Sequence, residues 1–252
     1  DAGEVAPMLV RRFGITEGNR QTLSLGMTLD QLVNPKRYNA ITELWESQAP
    51  PGERLDEYVR REANKEPHVG ETPASVVADC LRFASNAVAL VKLATPQITK
   101  NAAEFARLQN DMLSIQAMAE FYRDKTKAAE IALQVANSGK VEELEVVTEL
   151  VKQSIGHFEA LTLLTERTYH FANSMQTGHR KIPFPGAANG IGTNYHWFQV
   201  LPLYRKELEA YHQVVKGIRE GEANPETGTP IAAWPAAKFK LFSTNAETYE
   251  VK

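Results

Sequence analysis

One cysteine, Cys80, is all the thiol chemistry the sequence holds. That excludes an internal disulfide framework and a cysteine-built zinc site; within "VVADCLRFA" it reads as a small buried hydrophobe. Positive charge is not in excess either. Twenty-eight Lys and Arg stand against 31 Asp and Glu, giving a net charge of −3 and a pI near 6.1. No basic field is available to hold a phosphate backbone, so nucleic acid is excluded as a partner. No apolar run reads as the ~20 residues of a bilayer span, and the first residues do not read as a signal peptide. Cysteine usage leaves the compartment undecided.

Catalytic signatures are missing as well. The long helical stretches carry a single E-x-x-H, Glu209 to His212, where a di-iron bundle needs one on each of two helices. There is no H-E-x-x-H, G-x-S-x-G or Walker loop. "GAANGIG" (186–192) is glycine-rich, but no strand precedes it and no βαβ unit contains it. No metal, no cofactor and no catalytic residue is therefore assigned. Glu43 and Glu46 flank Trp45 in "ITELWES", and glycosidases do work with two carboxyls beside aromatic platforms. The same i, i+3 spacing is equally that of a solvated helix face.

Helical periodicity is abundant. Thr72-Pro73 is an N-cap with proline at the first helical position, opening a helix that runs to about Ala94 before Pro96 stops it. Asn101 and Glu104 form a plausible cap pair for the next helix, 102–137, which has no Gly or Pro until Gly139. Its stripe of Phe105, Leu108, Met112, Ile115, Ala119, Tyr122, Thr126, Ala129, Leu133 and Ala136 alternates spacings of three and four, a heptad seam. After a turn at Gly139, the stripe Leu144, Val147, Val151, Ile155, Phe158, Leu161 and Leu164 marks a partner helix over 141–172. A last helix, about 197–220, carries Val200, Leu203, Leu208, Tyr211, Val215 and Ile218, with Pro202 in its first turns. The expected fold is all-α: an antiparallel up-down bundle of long helices over 72–220.

Residues 1–71 read as a layer of short helices and loops, or the tail of a preceding domain. Thr28 and Gln31 make a capping box before "LDQLV" there. Residues 221–252 read as an extended tail, because "KFKL" and "TYEV" alternate as strands do. With no initiator Met before "DAGEVAPM", the expectation is a piece of a longer protein, ending where a β-rich module begins. A natural 252-residue protein with a docked terminal hairpin is the alternative.

The densest chemistry lies in the connector between the last two long helices. "SMQTGHRKIPFPG" and "NYHWF" bring histidines, an Arg-Lys pair and aromatics into a link longer than the usual 2–8 residues. Tyr169, Asn173 and Gln176, then His179 and Arg180, then Tyr195, His196 and Trp197 converge on one end of the bundle. Such a set suits a hydroxyl-rich or anionic ligand such as an oligosaccharide. It equally suits a structural plug that closes the core and satisfies helix ends. Pro183, Pro185 and the aromatics predict an ordered segment over 173–197.

Four phrases then carry a resemblance: "RRFGITEGNRQTLSLGMTLDQLVNPKRYN", "EPHVGETP", "LQNDMLSIQAMAEFYRDKTKAA" and "FANSMQTGHRKIPF". Over most of 10–215 the chain resembles the helical region that follows the catalytic barrel in large glycoside-hydrolase-like proteins of polysaccharide-degrading Bacteroidetes-type bacteria. The resemblance implies a secreted or periplasmic carbohydrate-active parent, with neighbouring domains of the same polypeptide as partners. It brings no catalytic pair, because no alternation of strands and helices is present to build a barrel. The expected role is a non-catalytic supporting module. The alternative is a stand-alone glycosidase or lyase, or a carbohydrate-binding domain using 173–197.

Overall fold

A computed structural model describes residues 1–13, 26–33, 51–170, 172 and 196–220. The expected C-terminal tail, Glu43, Trp45 and Glu46, and most of the 173–197 connector lie outside the described residues. Seven α-helices are described: α1 (Ala2–Phe13), α2 (Leu29–Val33), α3 (Leu55–Asn64), α4 (Pro73–Ala94), α5 (Ala102–Ser138), α6 (Leu144–Thr165) and α7 (Trp197–Arg219). Among the described residues the only β pairing is an isolated bridge between Gly52 and Glu71. The fold is an all-α bundle.

Local chemistry starts and stops these helices much as the sequence suggests. The Thr72 side chain accepts from the Ser75 amide at 3.0 Å, and Ser75 Oγ returns the bond to the Thr72 amide at 3.0 Å. Gly139 closes α5 at φ +73°, its amide donating to the Val135 carbonyl at 2.8 Å. Asn101 departs from its expected role: it stands at φ +54° and makes no side-chain cap bond, while Glu104 pairs with Arg107. The helix expected to reach 172 stops at Thr165, with a 3₁₀ turn at 141–143 in front of it. Glu166, Arg167 and Thr168 are exposed, so no packing sustains the helix further.

Long α5, 37 residues and so roughly 55 Å, is the central element. It packs along α6 and α4, with α2 and α3 also against it; α6 carries α7, and α1 lies on α4. The α6–α7 pair is antiparallel, because the start of α7 reaches the end of α6 while Arg219 pairs with Glu145 at 2.5 Å. The α6 stripe is buried as read, from Leu144 through Leu161, with Leu164 at its edge.

On α5 the seam is only half right. Ala119, Tyr122, Thr126, Ala129 and Leu133 are buried, yet so are Phe121, Lys125, Ala128 and Ala132 on the other faces. Neighbours enclose this half of the helix instead of covering one stripe, and its alanines let them come close. Toward the N-terminus the seam is only partly covered: Phe105 and Met112 are half-buried, Leu108 is 43% exposed, and the first buried residue of α5 is Ser114. By length and composition Pro73–Gln97 is apolar enough to cross a membrane, a test that core helices also pass; 33% of its most apolar window is buried in the bundle.

The N-terminal segments close the side between α4 and α7. Met27, Leu29, Leu32 and Val33 join the same core as Val76, Phe121, Phe158 and Tyr204. Arg12, buried on α1, pairs with Glu71 at 2.9 Å, and its guanidinium lies against Gly52, where an added Cβ would sit 2.1 Å from it. Gly70, at φ +67°, faces the Pro51 carbonyl with no room for a side chain.

Candidate functional site

The end of the bundle where α4, α5, α6 and α7 meet holds the described part of the connector chemistry. Past Thr165 the chain turns, its carbonyl accepting from the amides of Thr168 (3.0 Å) and Tyr169 (3.1 Å). This aims Tyr169 at α5, where its hydroxyl donates to Asp111 Oδ1. Burial and the Asp111 carboxylate together push the Tyr169 phenol up to about 12. One residue away the Asn110 side-chain amide donates to Thr168 Oγ1 at 3.3 Å, so two polar bonds tie α5 to the end of α6.

Across from them, α7 opens on His196 and Trp197. The His196 ring is the N-cap: Nδ1 accepts from the Phe198 amide at 3.3 Å, and Nε2 donates to the Thr165 carbonyl at 3.3 Å. An accepting Nδ1 and a donating Nε2 describe one neutral tautomer, with both nitrogens spent on the backbone. Gln199 accepts from the His196 amide at 2.6 Å and completes the capping box. Trp197 packs edge-on against Tyr169, ring centroids 5.7 Å apart, and against His196 at 5.3 Å. It is 9% exposed, whereas Tyr169 is 37% exposed.

Of the residues the sequence gathered here, Tyr169 and His196 thus each pack against Trp197. Asn173, Gln176, His179, Arg180 and Tyr195 lie outside the described residues. Among the described residues no group of three or more His, Cys, Asp or Glu could hold a metal ion.

Three charged clusters escaped the sequence reading. Lys125 of α5, fully buried, pairs with Glu207 of α7, whose other oxygen accepts from the Leu29 amide. The Lys125 ammonium sits 4.7 Å from the Tyr204 ring centroid. Burial lowers its pKa, against the opposing pull of Glu207. Both residues fall on seam spacings (Tyr122, Lys125, Ala129; Tyr204, Glu207, Tyr211), and a charge inside a seam was the available signal. A second cluster joins His157 of α6 to Glu120 (3.0 Å) and Asp124 (3.1 Å) of α5.

The third surrounds His68, in the phrase "EPHVGETP". Its Nδ1 lies 2.8 Å from Glu53 and its Nε2 2.6 Å from Glu62, and it stacks on Tyr58 at 4.9 Å. Buried Glu53 also accepts from the Val69 amide at 2.7 Å and pairs with Arg61 at 3.1 Å. Hydrogen bonds to Glu62 first and Glu53 second raise the His68 pKa.

No protein-family profile matches the chain, and no curated protein matches it. Among solved structures it is similar to a GH138 enzyme targeting the pectin rhamnogalacturonan II, at 41% identity and a TM-score of 0.80. The match covers 87% of this chain and 25% of that one. The chain spans about a quarter of that protein's length, and over this quarter it is related to a glycoside hydrolase.

Proposed function

We propose that this chain is a non-catalytic helical module of a larger secreted carbohydrate-active protein, where it supports and orients neighbouring domains. The observation that carries the reading is the match itself. It takes in 87% of this chain at 41% identity yet only a quarter of the glycoside hydrolase it resembles. The local chemistry supports the same reading. His196 spends both ring nitrogens on helix ends and Trp197 is buried in the core, which are the marks of a plug. The test sets the 252-residue chain beside the longer polypeptide that carries it, each incubated with rhamnogalacturonan II. The chain alone should release no sugar. Turnover by the chain alone, abolished by Glu43→Gln or Glu46→Gln, would overturn the proposal.

A second reading, glycan binding at the bundle end, is favoured by one observation: Tyr169 is partly exposed beside the Asp111 carboxylate, a phenol and acid pair of the kind that meets sugar hydroxyls. Calorimetric titration with neutral and acidic oligosaccharides, run beside thermal melts of Trp197→Ala, separates the two. The module reading expects the melt to move and no sugar to titrate.

A further inference from the structure

His68 is held from both sides. Its Nδ1 lies 2.8 Å from a Glu53 oxygen and its Nε2 2.6 Å from a Glu62 oxygen. A neutral imidazole carries one N–H, so it would turn a lone pair on one of the two carboxylates. The geometry therefore calls for the imidazolium, with Nδ1–H donating to Glu53 and Nε2–H donating to Glu62. Charge balance asks for the same. The ion-paired set around the ring sets Glu53, Glu62 and Glu66 against Arg60 and Arg61, and it is neutral only when His68 supplies the third positive charge. Tyr58 stacks on the ring at 4.9 Å. Further charges come from Glu130 of α5, which acts on Tyr58, and from the Arg12–Glu71 pair at the neck of the segment. Arg54, Asp56 and Glu57 pair among themselves at the other end of α3.

The two carboxylates differ in what they can do when the proton leaves. Glu53 has its side chain 3% exposed and also holds the Val69 amide at 2.7 Å and Arg61 at 3.1 Å, so it stays. Glu62, 51% exposed on the last turn of α3, can turn into water. That turn carries strain of its own. It ends on Lys65 at φ +56°, a left-handed conformation unfavourable to a residue with a Cβ. The Lys65 amide donates to the Glu62 carbonyl at 3.2 Å and the Glu66 amide to the Arg61 carbonyl at 2.9 Å. The exposed Arg60–Glu66 pair adds little to them. We infer that the end of α3 is a pH-sensitive catch: protonated His68 ties Glu62, and with it the last turn of the helix, to buried Glu53, and loss of the proton releases Glu62 and loosens residues 62–68 while the bundle stays folded. Bonds to Glu62 first and Glu53 second raise the His68 pKa above its ordinary 6.5. The catch is therefore fully closed below 6.5 and opens as pH rises through the folded value. Tyr58, raised above its ordinary 10.0 by burial first and nearby carboxylates second, stays neutral meanwhile.

Hydrogen exchange of the 252-residue chain, read as protection factors between about pH 5.5 and about pH 9, tests the catch. Across that range the Lys65 and Glu66 amides should lose about 3- to 10-fold in protection, the weight of one net hydrogen bond. The far-ultraviolet circular dichroism should not change. At every pH the two amides should stay less protected than those of the buried half of α5, 117–133, as a local opening requires. His68→Gln should hold them at the low, high-pH level throughout. Glu62→Gln separates the catch from a general effect of charge. Its amide accepts from the imidazolium and donates to the neutral ring, so it should keep the protection at both ends of the range. It should also lower the His68 midpoint in a proton NMR titration. A flat wild-type profile overturns the catch, as does a pH step that survives His68→Gln or Glu62→Gln. Protection equal to that of 117–133 at every pH would make the opening global and overturn it too.

Discussion

Removing one member of the Lys125–Glu207 pair should damage this bundle more than removing both. Glu207→Gln keeps a carbonyl oxygen for the Leu29 amide but leaves the Lys125 ammonium buried with no counter-charge. Uncompensated buried charges of this kind cost about 3–5 kcal/mol, a large share of the about 5–15 kcal/mol that holds a domain folded. Lys125→Met fills a similar volume beside Phe121 and Tyr204 but strands the Glu207 carboxylate. It should cost a comparable amount. In the double variant Lys125→Met/Glu207→Gln no charge is buried and the Leu29 bond survives. The double variant should lose less than either single, with a coupling of at least about 2 kcal/mol. Urea unfolding followed by circular dichroism measures all four corners of the cycle. Each single variant should melt about 6–20 °C lower at this size. Single effects that simply add, within about 0.5 kcal/mol, would refute the pairing.

Phe158 is fully buried, with Phe121 at 5.1 Å and Tyr204 at 4.8 Å; Phe158→Ala should cost about 3–5 kcal/mol in the same assay, and half-buried Ile115→Ala clearly less. His68, raised above its ordinary 6.5, adds stability that is full below 6.5 and fades as pH rises through its folded value. Melts taken up a pH series should show that loss, His68→Gln should flatten it, and a proton NMR titration should place the His68 midpoint above 6.5. Gly70→Ala must hold a left-handed backbone with its Cβ 1.9 Å from the Pro51 carbonyl, so it should cost at least about 1–3 kcal/mol; a neutral melt would show that the 51–71 contact is not formed.

Much of the bundle was legible because local rules and packing agree. Pro73 behind its Thr72 cap, Gly139 after α5 and the α6 stripe each stand where periodicity placed them. Reading failed where the environment, and not the chain, decides. A seam drawn on α5 could not show that its C-terminal half is buried on several faces while Leu108 stays 43% exposed. That depends on where α4 and α6 stop. The site was legible as a convergence of residue types, and Tyr169, His196 and Trp197 do meet. Their hydrogen bonds were not, because the role of His196 is set by the Thr165 carbonyl, 31 positions away. The charged pairs were missed for the same reason: Lys125 finds its partner 82 positions later.

The bond from the Leu29 amide to Glu207 joins residues 178 positions apart. A ribosome adding about 5–20 residues per second takes roughly ten to thirty-five seconds to make that stretch. For all of that interval Met27 and Leu29, and over its last 82 residues the ammonium of Lys125 as well, have been made while the helix that completes their surroundings has not. The nascent chain must carry a half-built core, oily along α4 and α5 and holding an unmatched charge, until α7 emerges. A variant that weakens α7 should therefore reveal itself first in the cell, as lost soluble yield and chaperone dependence, before any melt of the purified protein registers it.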